Sequence, residues 1–103
     1  MYGTKNMAKE PAMTREQAVQ ALEVGIHMVE ELKEKGYGIV ATGEMGIGNT
    51  TTSAACAAVL FGKDPADVTG RGAGLSSEGL NRKINAIRSA IAVNKPDPRM
   101  PLM

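Results

Sequence analysis

The stretch whose reading decides the fold is Tyr37-Gly38-Ile39-Val40-Ala41-Thr42-Gly43-Glu44-Met45-Gly46-Ile47-Gly48-Asn49, followed by Thr50-Thr51-Thr52-Ser53-Ala54-Ala55-Cys56-Ala57-Ala58-Val59-Leu60-Phe61. Residues 37–42 form a short apolar run containing β-branched residues between glycines, the pattern of a buried parallel strand. Residues 43–48 place glycines at 43, 46 and 48. From Asn49 onward, a run of cap-competent residues leads into an Ala-rich segment, so a nearly all-apolar helix is expected to start around Thr50. Strand, glycine loop and helix make half of a βαβ unit.

Such a loop lets backbone amides converge on an anion at the positive end of a helix. Phosphate is the natural ligand. The spacing Gly43 to Gly48 meets the glycine pattern of a P-loop, yet Asn49 stands where that motif requires lysine, and the dinucleotide GxGxxG spacing is also missing. A tight turn with no ligand explains the loop about equally well. Glu44 sits in the loop either as a partner of the helix dipole or as an acceptor for sugar hydroxyls.

Outward from this centre, Thr14 and Gln17 form a capping-box pattern, and a helix is expected from Arg15. Ala18, Leu22, Gly25, Val29 and Leu32 recur at helical spacing, which predicts one buried face, and Gly36 is placed to end the helix. Residues 1–13 show no period and read as an extended lead-in. Gly62 stops the second helix, and Asp64-Pro65 marks a turn or a short new helix. A second glycine-rich stretch, Val68-Thr69-Gly70-Arg71-Gly72-Ala73-Gly74-Leu75, precedes Ser76 and Ser77, either of which caps a further helix. That helix carries Leu80, Ile84, Ile87 and Ile91 on one face and ends before Pro96, with Asn94 as terminator. Residues 96–103 read as a proline-punctuated tail. One strand makes no sheet, so the expected fold is a partial α/β domain, mostly helical as it stands.

The totals narrow the function. The chain has 103 residues, 43% of them apolar, with a net charge of +1, which fits one small domain and shows no footprint for nucleic acid. No apolar run reaches a membrane span and the first residues lack a secretory pattern, so a cytoplasmic protein is expected. One cysteine and one histidine leave no metal-ligand cluster. Cys56 reads as a small buried hydrophobe and His27 as a packing or surface residue. Lys83 can project toward the second glycine loop and offer a point charge to phosphate, although a solvated lysine is the plainer reading. Arg71 is an anion ligand if the two loops converge and an ordinary loop residue otherwise.

The runs Thr42 to Thr51, Val68 to Leu75 and Glu78-Gly79-Leu80-Asn81-Arg82-Lys83-Ile84, with Gly3-Thr4-Lys5-Asn6 and Pro11 to Thr14 upstream, closely resemble the nicotinate-nucleotide:dimethylbenzimidazole phosphoribosyltransferases. The likeness runs from about residue 3 to about residue 98. It implies transfer of phosphoribose from nicotinate mononucleotide to dimethylbenzimidazole, giving α-ribazole phosphate and nicotinate in cobalamin lower-ligand synthesis. It implies a Rossmann-like parallel sheet, a homo-oligomer, and neither metal nor cofactor. Carried over by motif, Glu44, Met45, Gly46, Ile47, Gly48 and Asn49 lie at the phosphoribosyl site and Lys83 is a phosphate ligand, with Arg71 and Gly72 as further candidates. Family members are considerably longer, and their general base lies in a C-terminal segment with no counterpart after Met103. General-base assistance is worth about 10²–10⁴-fold, so this chain is expected to be inactive or nearly so. Two other readings remain: a non-catalytic phosphate-binding module, and a fragment that exists by oligomerising.

Overall fold

The computed structural model describes residues 2–72 and 74–99. They divide into two compact units, one formed by residues 2–12 and 46–99 and the other by residues 13–45. The described residues are mostly helical and contain no strand. Four helices follow in order: α1 (Arg15–Glu34), α2 (Thr50–Phe61), α3 (Pro65–Val68) and α4 (Ser77–Asn94).

In the first unit α2 packs against α4, and α3 packs against both. The core is small: Ala54 and Ala58 of α2 face the unit interior, as do Ile87 and Ala90 of α4. Three of these four are alanines, which permits close approach of the two helix backbones. Among the described residues Ile87 is the one large side chain removed completely from water. Only one face of α2 is buried. Cys56 is exposed, as are Leu60 and Phe61, which corrects the reading of Cys56 as a buried hydrophobe. An Ala-rich helix packed on one side leaves the rest of its circumference in water.

The cap signals set the element ends. Ser76 caps α4 by accepting from the Gly79 amide, and Asp64 caps α3 by accepting from the Ala66 amide. The Asp64 carboxylate also accepts from Arg88 of α4 at 2.8 Å, which ties α3 to that helix. The Ala66 amide, followed by the Arg88 guanidinium, holds its pKa below the ordinary aspartate value. Gly62 ends α2 at φ +61°, a left-handed conformation that a side chain disfavours. The lead-in does not simply trail away. Lys5 donates its amide to Ala12, closing a loop, and Asn94 near the end of α4 donates its side-chain amide to the Met7 and Ala90 carbonyls. The Asn94 Oδ1 is buried with no partner among the described residues.

The second unit begins with α1. The capping box forms as expected: Gln17 donates its amide to Thr14 Oγ1, and Thr14 donates its amide to Gln17 Oε1. The expected one-sided burial does not appear. No residue of α1 is buried, and Leu22 and Val29 stand 57% and 55% exposed. The amphipathic pattern is present, but the unit provides no second apolar layer to receive it. After the turn at Gly36, residues 37–45 form neither helix nor strand, so the strand expected at 37–42 is absent. A strand needs a neighbour to complete its hydrogen bonds, and no other described segment supplies one. Ile39 is 90% exposed.

Candidate functional site

α4 presents its buried face as Gly79, Lys83, Ile87 and Ala90, spaced so that one stripe carries three small or apolar residues and one ammonium. Lys83 is 8% exposed, the one charged residue among the buried side chains described. Its Nζ donates to Thr50 Oγ1 at 2.9 Å and to the Gly70 carbonyl at 2.9 Å. Both acceptors are neutral. None of the ion pairs found among the described residues involves Lys83. A buried ammonium held only by neutral oxygens keeps most of its positive field for whatever enters beside it.

The space beside it is a cleft lined by Thr50, Ser53 and Ala57 of α2, Gly70 and Gly72 of the second glycine loop, and Lys83. Gly72 has φ +58°, and a Cβ there would stand 3.1 Å from Thr50 Oγ1 and 3.6 Å from Lys83 Nζ. A Cβ at 72 would therefore crowd the Thr50 hydroxyl and lie in contact with the ammonium.

α2 opens onto this cleft without a side-chain cap, because Asn49 makes no capping bond, whereas Thr14, Asp64 and Ser76 cap the other three helices. The hydroxyls of Thr52 and Ser53 instead donate back to the Asn49 carbonyl at 2.8 and 3.0 Å. The orphan amides of the first turn, with the dipole behind them, keep their affinity for an anion.

The residues singled out in the sequence divide between the two units. Lys83, Gly72 and Thr50 at the α2 start come together in the first unit; Gly46, Ile47, Gly48 and Asn49 belong to that unit and turn directly into α2, but do not line the cleft. Gly46 and Gly48 have φ +82° and +78°, and Ile47 is 74% exposed. Glu44 and Met45 fall in the second unit, where Glu44 Oε1 accepts from the Met45 amide at 2.9 Å. Arg71 does not line the cleft. Its guanidinium donates to the Leu75 carbonyl and to Ser77 Oγ, bracing the loop against the start of α4. In the sequence Thr50 reads as a helix start within the Thr42 to Thr51 run, and Ser53 as a cap-competent residue. The available signal was the spacing of 50, 53, 54 and 57, which puts small residues on one helical face where a long side chain from α4 has room.

A depression along α1, lined by Arg15, Val19 and Glu23 among others, is bounded by that helix alone. Among the described residues no group of three or more His, Cys, Asp or Glu is placed to hold a metal, and no helix is long and apolar enough to cross a membrane.

Known proteins resemble the chain over nearly all of its length. The chain is 54% identical over 100 residues to the nicotinate-nucleotide–dimethylbenzimidazole phosphoribosyltransferase of Ruminiclostridium cellulolyticum, a match covering 97% of this chain and 28% of the relative. It is 58% identical over 96 residues to the enzyme of that name from Alkaliphilus metalliredigens, covering 93% and 28%. It is 55% identical over 100 residues to that of Acetivibrio thermocellus, covering 97% and 28%. The chain thus spans little more than a quarter of these relatives' length. A sequence profile described as phosphoribosyltransferase matches residues 1–103, the whole of the sequence, and the chain belongs to that family.

Proposed function

We propose that this chain carries the phosphate-holding part of a phosphoribosyltransferase that moves phosphoribose from nicotinate mononucleotide to dimethylbenzimidazole, giving α-ribazole phosphate and nicotinate for the cobalamin lower ligand. One observation supports this above the rest: the buried Lys83 ammonium, held among the described residues by Thr50 and Gly70, beside an uncapped helix start. The phosphate ester of the nucleotide lies against Lys83 and the amides from Gly46 to Thr50, with Gly72 leaving room for it. Carried over by motif, Glu44 and Met45 serve the sugar, for which a carboxylate accepts hydrogen bonds from hydroxyls and offsets positive charge developing at the anomeric carbon. Arg71 acts through the loop it braces. No cofactor takes part, the surrounding domain is a parallel α/β sheet, and the enzyme works as a homo-oligomer in the cytoplasm.

The chain spans about 28% of its relatives. With that share of its relatives' length, the chain by itself binds the nucleotide and does not turn it over at an enzymatic rate. Calorimetry with nicotinate mononucleotide tests the first part: saturable binding displaced by inorganic phosphate is expected, and no binding overturns the reading. Chromatography after incubation with dimethylbenzimidazole tests the second. Turnover at a rate typical of enzymes would remove the claim that the chain is inactive.

A further inference from the structure

We infer that the Thr50 hydroxyl is an anion ligand in its own right, donating to the same phosphate that Lys83 holds; this rests on the reading of the cleft given above. The inference follows from proton counting. An ammonium has three N–H donors and no lone pair, so in the 2.9 Å contact between Lys83 Nζ and Thr50 Oγ1 the hydroxyl must accept. Its own single proton therefore points elsewhere. The neighbouring hydroxyls of Thr52 and Ser53 spend theirs on the Asn49 carbonyl, which the Ser53 amide also occupies. Thr50 has no such acceptor among the described residues, and it stands half-buried on the cleft wall.

Lys83 likewise has one proton left after Thr50 and Gly70 are served. The cleft thus meets a ligand with two donors on atoms 2.9 Å apart, one charged and one neutral. That pair suits two oxygens of one tetrahedral oxyanion. The space is kept open by Gly72, whose absent Cβ would sit within 3.6 Å of both donor atoms. Lys83 also polarises the hydroxyl by donating to its oxygen, which makes the Thr50 proton a better donor. The ligand class is a phosphate monoester with unprotonated oxygens toward this pair.

The experiment measures binding of inorganic phosphate and of nicotinate mononucleotide to the full chain by calorimetry at fixed ionic strength, for wild type, Thr50→Val, Thr50→Ser and Lys83→Met. Helix content by circular dichroism is followed in parallel. Thr50→Val is expected to weaken both ligands at least about tenfold, the loss of one hydrogen bond to a charged group. Thr50→Ser is expected to stay within about threefold, because it keeps the proton. In the phosphate complex the wild-type hydroxyl proton becomes exchange-protected and correlates with phosphorus by NMR, a signal that mere support of Lys83 does not produce.

Wild-type affinity in Thr50→Val, equal losses in Thr50→Ser and Thr50→Val, or no hydroxyl-to-phosphorus correlation would each overturn the inference. If Lys83→Met still abolishes binding in those cases, the reading of the cleft stands without it. If the wild type binds neither ligand, both fall.

Discussion

Replacing Lys83 by Met should leave the fold standing while removing its ligand, and the two effects can be worked out separately. The ammonium makes two bonds of 2.9 Å to neutral acceptors, each contributing about 1.5–3 kcal/mol as a bond from a charged donor. Against that stands the cost of keeping a charge at 8% exposure with no carboxylate beside it, several kcal/mol. The two terms are of equal size and opposite sign. Gly70 lies on the exposed loop, so water can take over its carbonyl when the lysine is gone. Methionine keeps the length of the stem and fits the gap between α2 and α4. The expected net change is within about 1 kcal/mol of zero, or a melting shift of no more than about 8 °C in either direction. Binding behaves differently. The one cation of the cleft disappears, and affinity for a phosphate ester should fall about a hundredfold, the worth of a charge-assisted bond at a buried site. Thermal melts with and without phosphate read both quantities together: at a hundred times its dissociation constant the ligand raises wild-type stability by about 2.7 kcal/mol, and the variant should show almost none of that rise. A loss of more than about 3 kcal/mol without ligand would make Lys83 a structural residue. An undiminished phosphate response in the variant would refute its role in binding.

Ile87→Ala removes the one large side chain fully buried between α4 and its neighbours, and should destabilise the unit by about 2–5 kcal/mol in denaturant titration. Gly72→Ala should weaken phosphate binding more than it weakens the fold, since the new methyl falls 3.1 Å from Thr50 Oγ1 while its backbone at φ +58° costs about 1–2 kcal/mol; calorimetry and melting together separate the two. The depressed pKa of Asp64 means that the folded chain binds fewer protons there than the unfolded chain between the two values. Stability from this carboxylate is thus complete above the ordinary aspartate range and is lost as pH falls through the folded value. Asp64→Asn should accordingly melt below wild type at neutral pH and converge with it in acid, and a gap that persists in acid would contradict the assignment.

Much of the local structure was legible because it depends on neighbours in sequence. Thr14 with Gln17, Asp64 ahead of Pro65, Ser76 and Gly62 act through bonds spanning a few residues, and each ends an element where its chemistry says it should. The strand at 37–42 and the buried face of α1 depend on partners, and pattern alone cannot supply a second layer. The same distinction separates the site residues. Lys83 could be suspected from its place after a glycine loop, but its bond to Thr50 joins positions 33 residues apart, and only the packing of α2 on α4 creates it. Arg71, flanked by glycines, reads in sequence as an anion ligand if the two loops converge and as an ordinary loop residue otherwise. In the fold its guanidinium is taken by Leu75 and Ser77, a local competition that spacing does not reveal.

The lysine that grips the cleft and the isoleucine that anchors the interior lie on one helical stripe, four residues apart. A helix turns by about 100° per residue, so inserting a single residue after the Ser76 cap would swing both out of place at once. Drift in the length of this segment cannot retune the proposed ligand seat gradually, because each misstep also strips the interior. Seat and interior are geared to one rotation, and substitutions that keep the count are the route by which this segment can vary.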